Sequence, residues 1–240
     1  MSRALVLVLA HPDDESFFAA GSIAKCVAAG VRVGLICATR GERGATCDLC
    51  TIDELPRIRE AELRDAGRIL GIHEIDVLPY QDQQLARAPF DDVRRSVVRM
   101  IRRMRPQVVF TFDPDGANQH TDHIAISRFA MDGIAAAGDA RWYREAGDAW
   151  QVERVLWPST IRVWELGELP DRAGRPGVDY LIDVHEFREA KEAALRAHRT
   201  QWRGLSKLFL ANPTAMSWEA FRVGSGRRPD PVPADDLFVE

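Results

Sequence analysis

An α/β fold built on a doubly wound, mostly parallel sheet of Rossmann-like type is predicted by two features. Short apolar runs alternate with helical patterns through the first 150 residues, and those runs are apolar on both faces. Strands that read as continuous apolar segments are covered on two sides, and right-handed crossovers put helices there. Beyond residue 150 the rhythm loosens, yet no repeat, low-complexity segment or compositional break appears. The expectation is one domain over residues 1–240, with an α/β core at 1–150 and a C-terminal elaboration at 151–240.

The elements follow in order. "RALVLVLA" is a buried strand, "AAGSIAKCVAAG" a helix closed by Gly30, and "VRVGLICAT" a second strand. "TRGERGATCDLCTID" is a loop, and "ELPRIREAELRDAGRILG" an amphipathic helix with Leu63, Ala66 and Leu70 on one face. "EIDVLPY" is the third strand, "FDDVRRSVVRMIRRMR" the third helix and "PQVVFTF" the fourth strand. In the elaboration, "RVLWPSTIRVWEL" and "VDYLIDV" read as strands and "HEFREAKEAALRAHRTQW" as one closing helix. "GSGRRPDPVPADDLFVE" reads as an irregular tail that a neighbouring subunit would order, which makes a homo-oligomer compatible with the sequence.

With 240 residues, 46% hydrophobic and 28% charged, the chain buries a sizeable core without disulfide staples. A net charge of -4, with 32 basic residues scattered among 36 acids, argues against a nucleic-acid partner, so the Arg-rich helices read as solvated faces. No apolar stretch approaches the roughly 20 residues of a membrane span, and Leu5 to Leu9 is too short for a signal peptide. A cytoplasmic protein with no membrane partner is expected. Cys26 and Cys37 lie in apolar segments. Cys47 and Cys50 form one isolated CxxC, read as two reduced loop thiols, with a local disulfide or metal site as the alternative.

Chemistry is concentrated where strands end. "HPDDE" follows the first strand, "TRGERG" the second and "DPDGANQHTDH" the fourth, and in open parallel sheets the loops at the carboxyl ends of strands converge on a ligand. His11, Asp13, Asp14 and Glu15 gain nothing from a core, and the acids repel one another unless a cation sits among them. His120 and His123, three apart at a helix start, can turn both imidazoles toward one site. Together these are ingredients of a metal centre with two histidines, one carboxylate and an open position for water, suited to hydrolysing an amide or ester. A phosphate cradle around Gly41 and Gly44 is opposed by the acids crowding the same mouth. A Ser-His-Asp hydrolase lacks its GxSxG turn.

"AHPDDE" paired with the downstream "HTDH" closely resembles the LmbE-like, or PIG-L, family of zinc-dependent N-deacetylases, which includes deacetylases of mycothiol and bacillithiol biosynthesis. "TRGERG", "REAELRDAGRILG" and "KEAALRAHRTQ" resemble family segments in family order. The resemblance implies that His11, Asp14 and His123 hold zinc, with iron(II) as the alternative. It implies that Asp13 is the general base, and that His120 stabilises the oxyanion or protonates the leaving amine. Arg59 and Asp82 match substrate-contacting residues. As an imidazolium, His120 needs a carboxylate partner, and Asp122 or Asp113 is expected to supply it. Glu15 is expected behind the ligands and His198 either at the site mouth or structural, while His73 and His185 are expected to be structural. The implied activity is removal of an acetyl group from nitrogen on a small polar substrate such as an N-acetylglucosamine conjugate. The alternatives are an amidase acting on thiol conjugates and a non-catalytic metal- or sugar-binding module. Tyr143 or Tyr180 could enter the site from the later region.

Overall fold

The computed structural model describes residues 2–159, 177–211 and 213–239. Its framework is a seven-stranded sheet in the order β3-β2-β1-β4-β5-β7-β6. β1 (Ala4–Leu9), β2 (Arg32–Thr39), β3 (Glu74–Tyr80), β4 (Val108–Phe110) and β5 (Arg154–Pro158) run parallel. β6 (Tyr180–Asp183) and β7 (Trp218–Gly226) add an antiparallel flank through β7 on β5. Position in the sheet follows from the side chains. The unbroken apolar run of β1 is buried at every residue and sits between β2 and β4, whereas β3, interrupted by Glu74, Asp76 and Pro79, lies at the edge.

The connections are α1 (Asp14–Ala28), α2 (Leu55–Leu70), α3 (Phe90–Met104), the short turn α4 (Gly116–Gln119), α5 (Thr121–Ala137), α6 (Arg188–Ala197), α7 (Trp202–Ala211) and α8 (Pro213–Ser217). The main core joins both sides of the sheet and reaches into the tail through Ala234 and Leu237. A second cluster, with Leu195, Phe209 and Met216, lies under α6 to α8 and packs against Phe17 of α1. No helix among the described residues is long and apolar enough to cross a membrane.

Several expectations change. The first helix begins at Asp14, so Asp14 and Glu15 occupy its first turn, where the helix dipole favours acids. The closing helix breaks at His198, whose backbone (φ -79°, ψ 62°) leaves the helical region. β7 extends the sheet where no strand was expected and includes the first three residues of the expected tail, Gly224 to Gly226. The tail is ordered by its own chain. Leu181 donates to the Ala234 carbonyl and Ala234 to that of Asp179, both at 2.9 Å, while Arg154 donates to the Leu237 carbonyl at 3.1 Å. The strand expected over 154–166 is β5 as far as Pro158, and its part at 160–166 lies outside the described residues.

The third helix is not simply a solvated face. Arg94, Arg95 and Arg103 pair with acids near the surface, but Arg102 is 4% exposed. Its guanidinium donates to the carbonyls of Ala136, Ala137, Asp139, Tyr143 and Gly147 at 2.7–3.2 Å. It therefore satisfies carbonyls at the end of α5 and pins the loop that follows.

Candidate active site

The chain runs from β1 to β3 on one side of the sheet and resumes with β4 and β5 on the other, so β1 and β4 are neighbours at the point where strand order reverses. Their carboxyl ends deliver the two chemically loaded loops to one place. Asp14 is fixed first: one carboxylate oxygen accepts the backbone N–H of Ala10 at 3.1 Å and of His11 at 2.8 Å. Its other oxygen lies 3.3 Å from Nε2 of His123.

The tautomers of both histidines follow from their partners. His123 Nδ1 faces the carbonyl of Gly116 at 3.1 Å and must donate to it, leaving a lone pair on Nε2. Its ring stacks on Phe112 with centroids 3.8 Å apart. His11 Nε2 lies 3.2 Å from Asp82 and 3.3 Å from Asp122, so it carries the proton and leaves the lone pair on Nδ1. The two lone-pair nitrogens face each other at 3.2 Å, with Asp14 3.7 Å from His11 Nδ1. Two acceptors and a carboxylate converging without a proton among them repel unless a cation lies between them. The two nitrogens are separated by close to the roughly 3.3 Å edge of a tetrahedron with bonds of about 2.0–2.1 Å, and each has a different Asp14 oxygen as its neighbour. The donor set therefore fits a metal ion.

Two donor groups among the described residues have all their ligand atoms within 4.8 Å of one another, His11 with His120 and His123, and His11 with Asp82 and Asp122, and Asp14 is in neither. Asp122 is already engaged, accepting the N–H groups of Gln83 at 2.6 Å and Leu85 at 3.1 Å, and acts on His11 from behind. The electrostatics favour positive charge at this point, whether a metal ion or a proton supplies it. Burial alone would lower the pKa of His11, but hydrogen bonds to Asp122 and Asp82 and the charge of Asp14 lift it to about 10. Burial would raise that of Asp14, but His123 and His11 hold it well below the carboxylate range. This cluster of acids demands positive charge at the point where the three donors meet.

Asp13 stands beside that triangle. Burial pushes its pKa up to about 6 against the opposing pull of Arg59, which donates to Asp13 Oδ2 at 3.0 Å. Arg59 also donates to the carbonyls of Pro12 and of Gly41, the latter at 2.8 Å. Gly41 is required there: its φ is +63°, and a Cβ would lie 2.0 Å from the guanidinium. Behind Asp13, Glu15 and His198 form a buried pair at 2.7 Å. Burial would lower the His198 pKa, but Glu15 raises it.

A cavity of about 270 Å³, near the lower end of ligand pockets, opens over these groups. His11, Asp13, Asp14, Arg59, Asp82, His120 and His123 all line it. Arg59 and Asp82, expected at the substrate, are largely engaged by the protein. Asp82 holds His11 and the Arg43 backbone N–H, and Arg59 keeps only Nε without a partner. The surroundings of His120 disfavour the expected imidazolium. Burial and the neighbouring His11 and His123 lower its pKa, Asp113 is taken by Arg222 at 2.7 Å and the Ala117 N–H, and Asp122 faces elsewhere. His120 Nδ1 accepts the Asp122 N–H at 3.2 Å, so its proton is on Nε2.

Neither Tyr143, hydrogen-bonded to Asp91 at 2.6 Å, nor Tyr180, buried in β6, lines the cavity. His73 accepts the Val33 N–H, and Cys47 and Cys50 are free thiols outside the metal-capable groups found among the described residues. Sequence reasoning missed Arg43, Gln83, Asn118 and Gln201 in the wall. Asn118, inside the histidine loop, carried a local signal. Gln201 ends the family-like segment "KEAALRAHRTQ" but carried no local chemical signal, because it reaches the cavity only through the break after α6.

The GlcNAc-PI de-N-acetylase family, PIG-L, matches residues 6–134. The 1D-myo-inositol 2-acetamido-2-deoxy-alpha-D-glucopyranoside deacetylase of Streptomyces scabiei is 33% identical over an alignment covering 98% of this chain and 88% of that protein. A conserved protein from Thermus thermophilus has a similar structure, with a TM-score of 0.72, 29% identity and coverage of 96% of this chain and 98% of its own. The N,N'-diacetylchitobiose deacetylase of Pyrococcus horikoshii shares the fold, with a TM-score of 0.71 at 22% identity, over 92% of this chain and 84% of its own.

Proposed function

This chain belongs to the PIG-L family, and on that premise we propose that it is a zinc-dependent N-deacetylase that releases acetate from a small N-acetylglucosamine conjugate. One observation carries the chemistry: two imidazole lone pairs and a carboxylate converge at 3.2–3.7 Å beside Asp13, on the wall of a cavity of about 270 Å³. The donor set of two nitrogens and one oxygen suits zinc, and iron(II) is the alternative.

His11, Asp14 and His123 would hold the ion, which supplies an acidified water and polarises the acetyl carbonyl. Asp82 and Asp122 keep the proton of His11 on Nε2, and Gly116 keeps that of His123 on Nδ1, so both ligand lone pairs stay aimed inward. Asp13 accepts the proton of the attacking water. Its pKa of about 6 leaves it ionised at neutral pH yet more basic than an ordinary aspartate. His120, neutral with its proton on Nε2, donates a hydrogen bond to the oxygen that gains charge as the carbonyl is attacked. Arg59 and Asp82, both on the cavity wall, meet the sugar.

The test is acetate release from N-acetylglucosaminyl-inositol and a panel of other N-acetylated sugars, before and after chelation. Activity should vanish with the metal, return with zinc, and leave the circular dichroism spectrum unchanged. Full turnover in demetallated protein refutes the metal role. The absence of acetate from every substrate refutes the deacetylase reading.

A further inference from the structure

Asp13 has φ 119° and ψ -20°, a backbone geometry that residues other than glycine rarely adopt. Such a conformation persists only where its surroundings over-determine it, and here the Pro12–Asp13 peptide is held at both ends. Its carbonyl accepts a hydrogen bond from Arg59. Its N–H is donated to Glu15 Oε2 at 3.2 Å. The other Glu15 oxygen accepts the Ser16 hydroxyl at 2.5 Å and the His198 ring at 2.7 Å. Glu15 and His198 are both wholly buried.

The segment carrying His198 is itself tied down. Glu62 lies one turn beyond Arg59 on α2 and accepts both the backbone N–H of Thr200 at 3.0 Å and its hydroxyl at 2.7 Å. The two hands of the clamp, Arg59 and His198, are thereby referenced to the same helix.

We infer that Glu15 and His198 are a positioning pair: they hold the Pro12–Asp13 peptide in its left-handed geometry and so aim the Asp13 carboxylate at the water it deprotonates. The inference rests on the assignment of Asp13 as the base. Neither residue lines the cavity, so neither touches substrate; both act through Asp13. His198 stands 183 residues from Glu15, and its docking makes the geometry of the base depend on the far end of the chain.

The experiment compares His198→Leu with His198→Gln in zinc-loaded protein. Leucine cannot donate to Glu15, whereas glutamine can. The leucine variant should retain zinc and KM but lose about 10- to 100-fold in kcat, the usual effect of removing an outer hydrogen-bond partner, and glutamine should recover most of it. An activity-independent readout is the Asp13 amide in nitrogen–proton spectra. Its proton should move upfield and exchange faster in His198→Leu only.

Wild-type kcat per bound zinc and an unmoved Asp13 amide in His198→Leu overturn the inference, as does an equal loss in the two variants that follows zinc content or unfolded fraction. If His198→Leu does not fold, Glu15→Gln takes its place, with the same amide shift and kcat loss expected and their absence decisive. Should the wild type release no acetate, the deacetylase reading falls, and the Asp13 amide still decides whether the clamp exists.

Discussion

Replacing Arg59 with glutamine removes the positive charge 3.0 Å from Asp13 while keeping a side chain able to hydrogen-bond. An adjacent guanidinium lowers a carboxylate pKa by about 1–3 units. Asp13 is 20% exposed and has a second positive neighbour at His198, so the lower part of that range, about 1–2 units or 1.4–2.7 kcal/mol, is expected. A base works only when ionised, so activity is present above its pKa and lost as the pH falls through it. Raising the value from about 6 to about 7–8 moves the acid limb of kcat/KM to higher pH. It should cost about two- to tenfold in rate at pH 7, recovered at pH 9. The assay is initial acetate release from pH 5 to 10, with zinc measured at each end. An acid limb that stays in place while KM rises equally at every pH would refute the reasoning and make Arg59 purely a substrate contact.

Asp13→Asn should keep zinc and turn over about 10² to 10⁴ times more slowly, whereas Asp14→Asn should lose metal first. Elemental analysis beside kinetics separates them, and the opposite pattern exchanges the two roles. His120→Ala should hold near-stoichiometric zinc and lose about 10² to 10³ in rate, while His123→Ala should come out zinc-poor in the same measurement. Arg102→Leu should destabilise the fold by about 2–4 kcal/mol in urea titration, because carbonyls after α5 lose a charged donor, while the folded fraction keeps its activity.

What was legible in the sequence was local. A six-residue apolar run ending in "HPDDE" announces a buried strand and a site at its tip, since those polar groups have no place in a core. The pairing of the His11 loop with that of His123 followed from where parallel strands end. Long-range partners were not legible. Glu15 meets His198 across 183 residues and Glu62 meets Thr200 across 138, and neither contact leaves a periodic mark. Arg102 looked like any other arginine of a basic helix because its carbonyl partners come from a loop of undistinguished composition. The closing helix read as continuous because its residues are good helix formers. Only the contacts of His198 and Thr200 with α1 and α2 show why it breaks.

The junction between β1 and β4 has a consequence for how the chain holds together. His11 and His123 are 112 residues apart, so an ion held between them closes one very long loop, as a covalent staple would. In chain-entropy terms, closing a loop of that length is worth about 4–5 kcal/mol, because the unfolded polymer loses far more freedom than the native state. The strands whose ends carry these ligands adjoin at the centre of the sheet. A bound cation would therefore rivet one half of the core to the other, and its departure would leave a molecule that is intact but easier to pull apart along that seam.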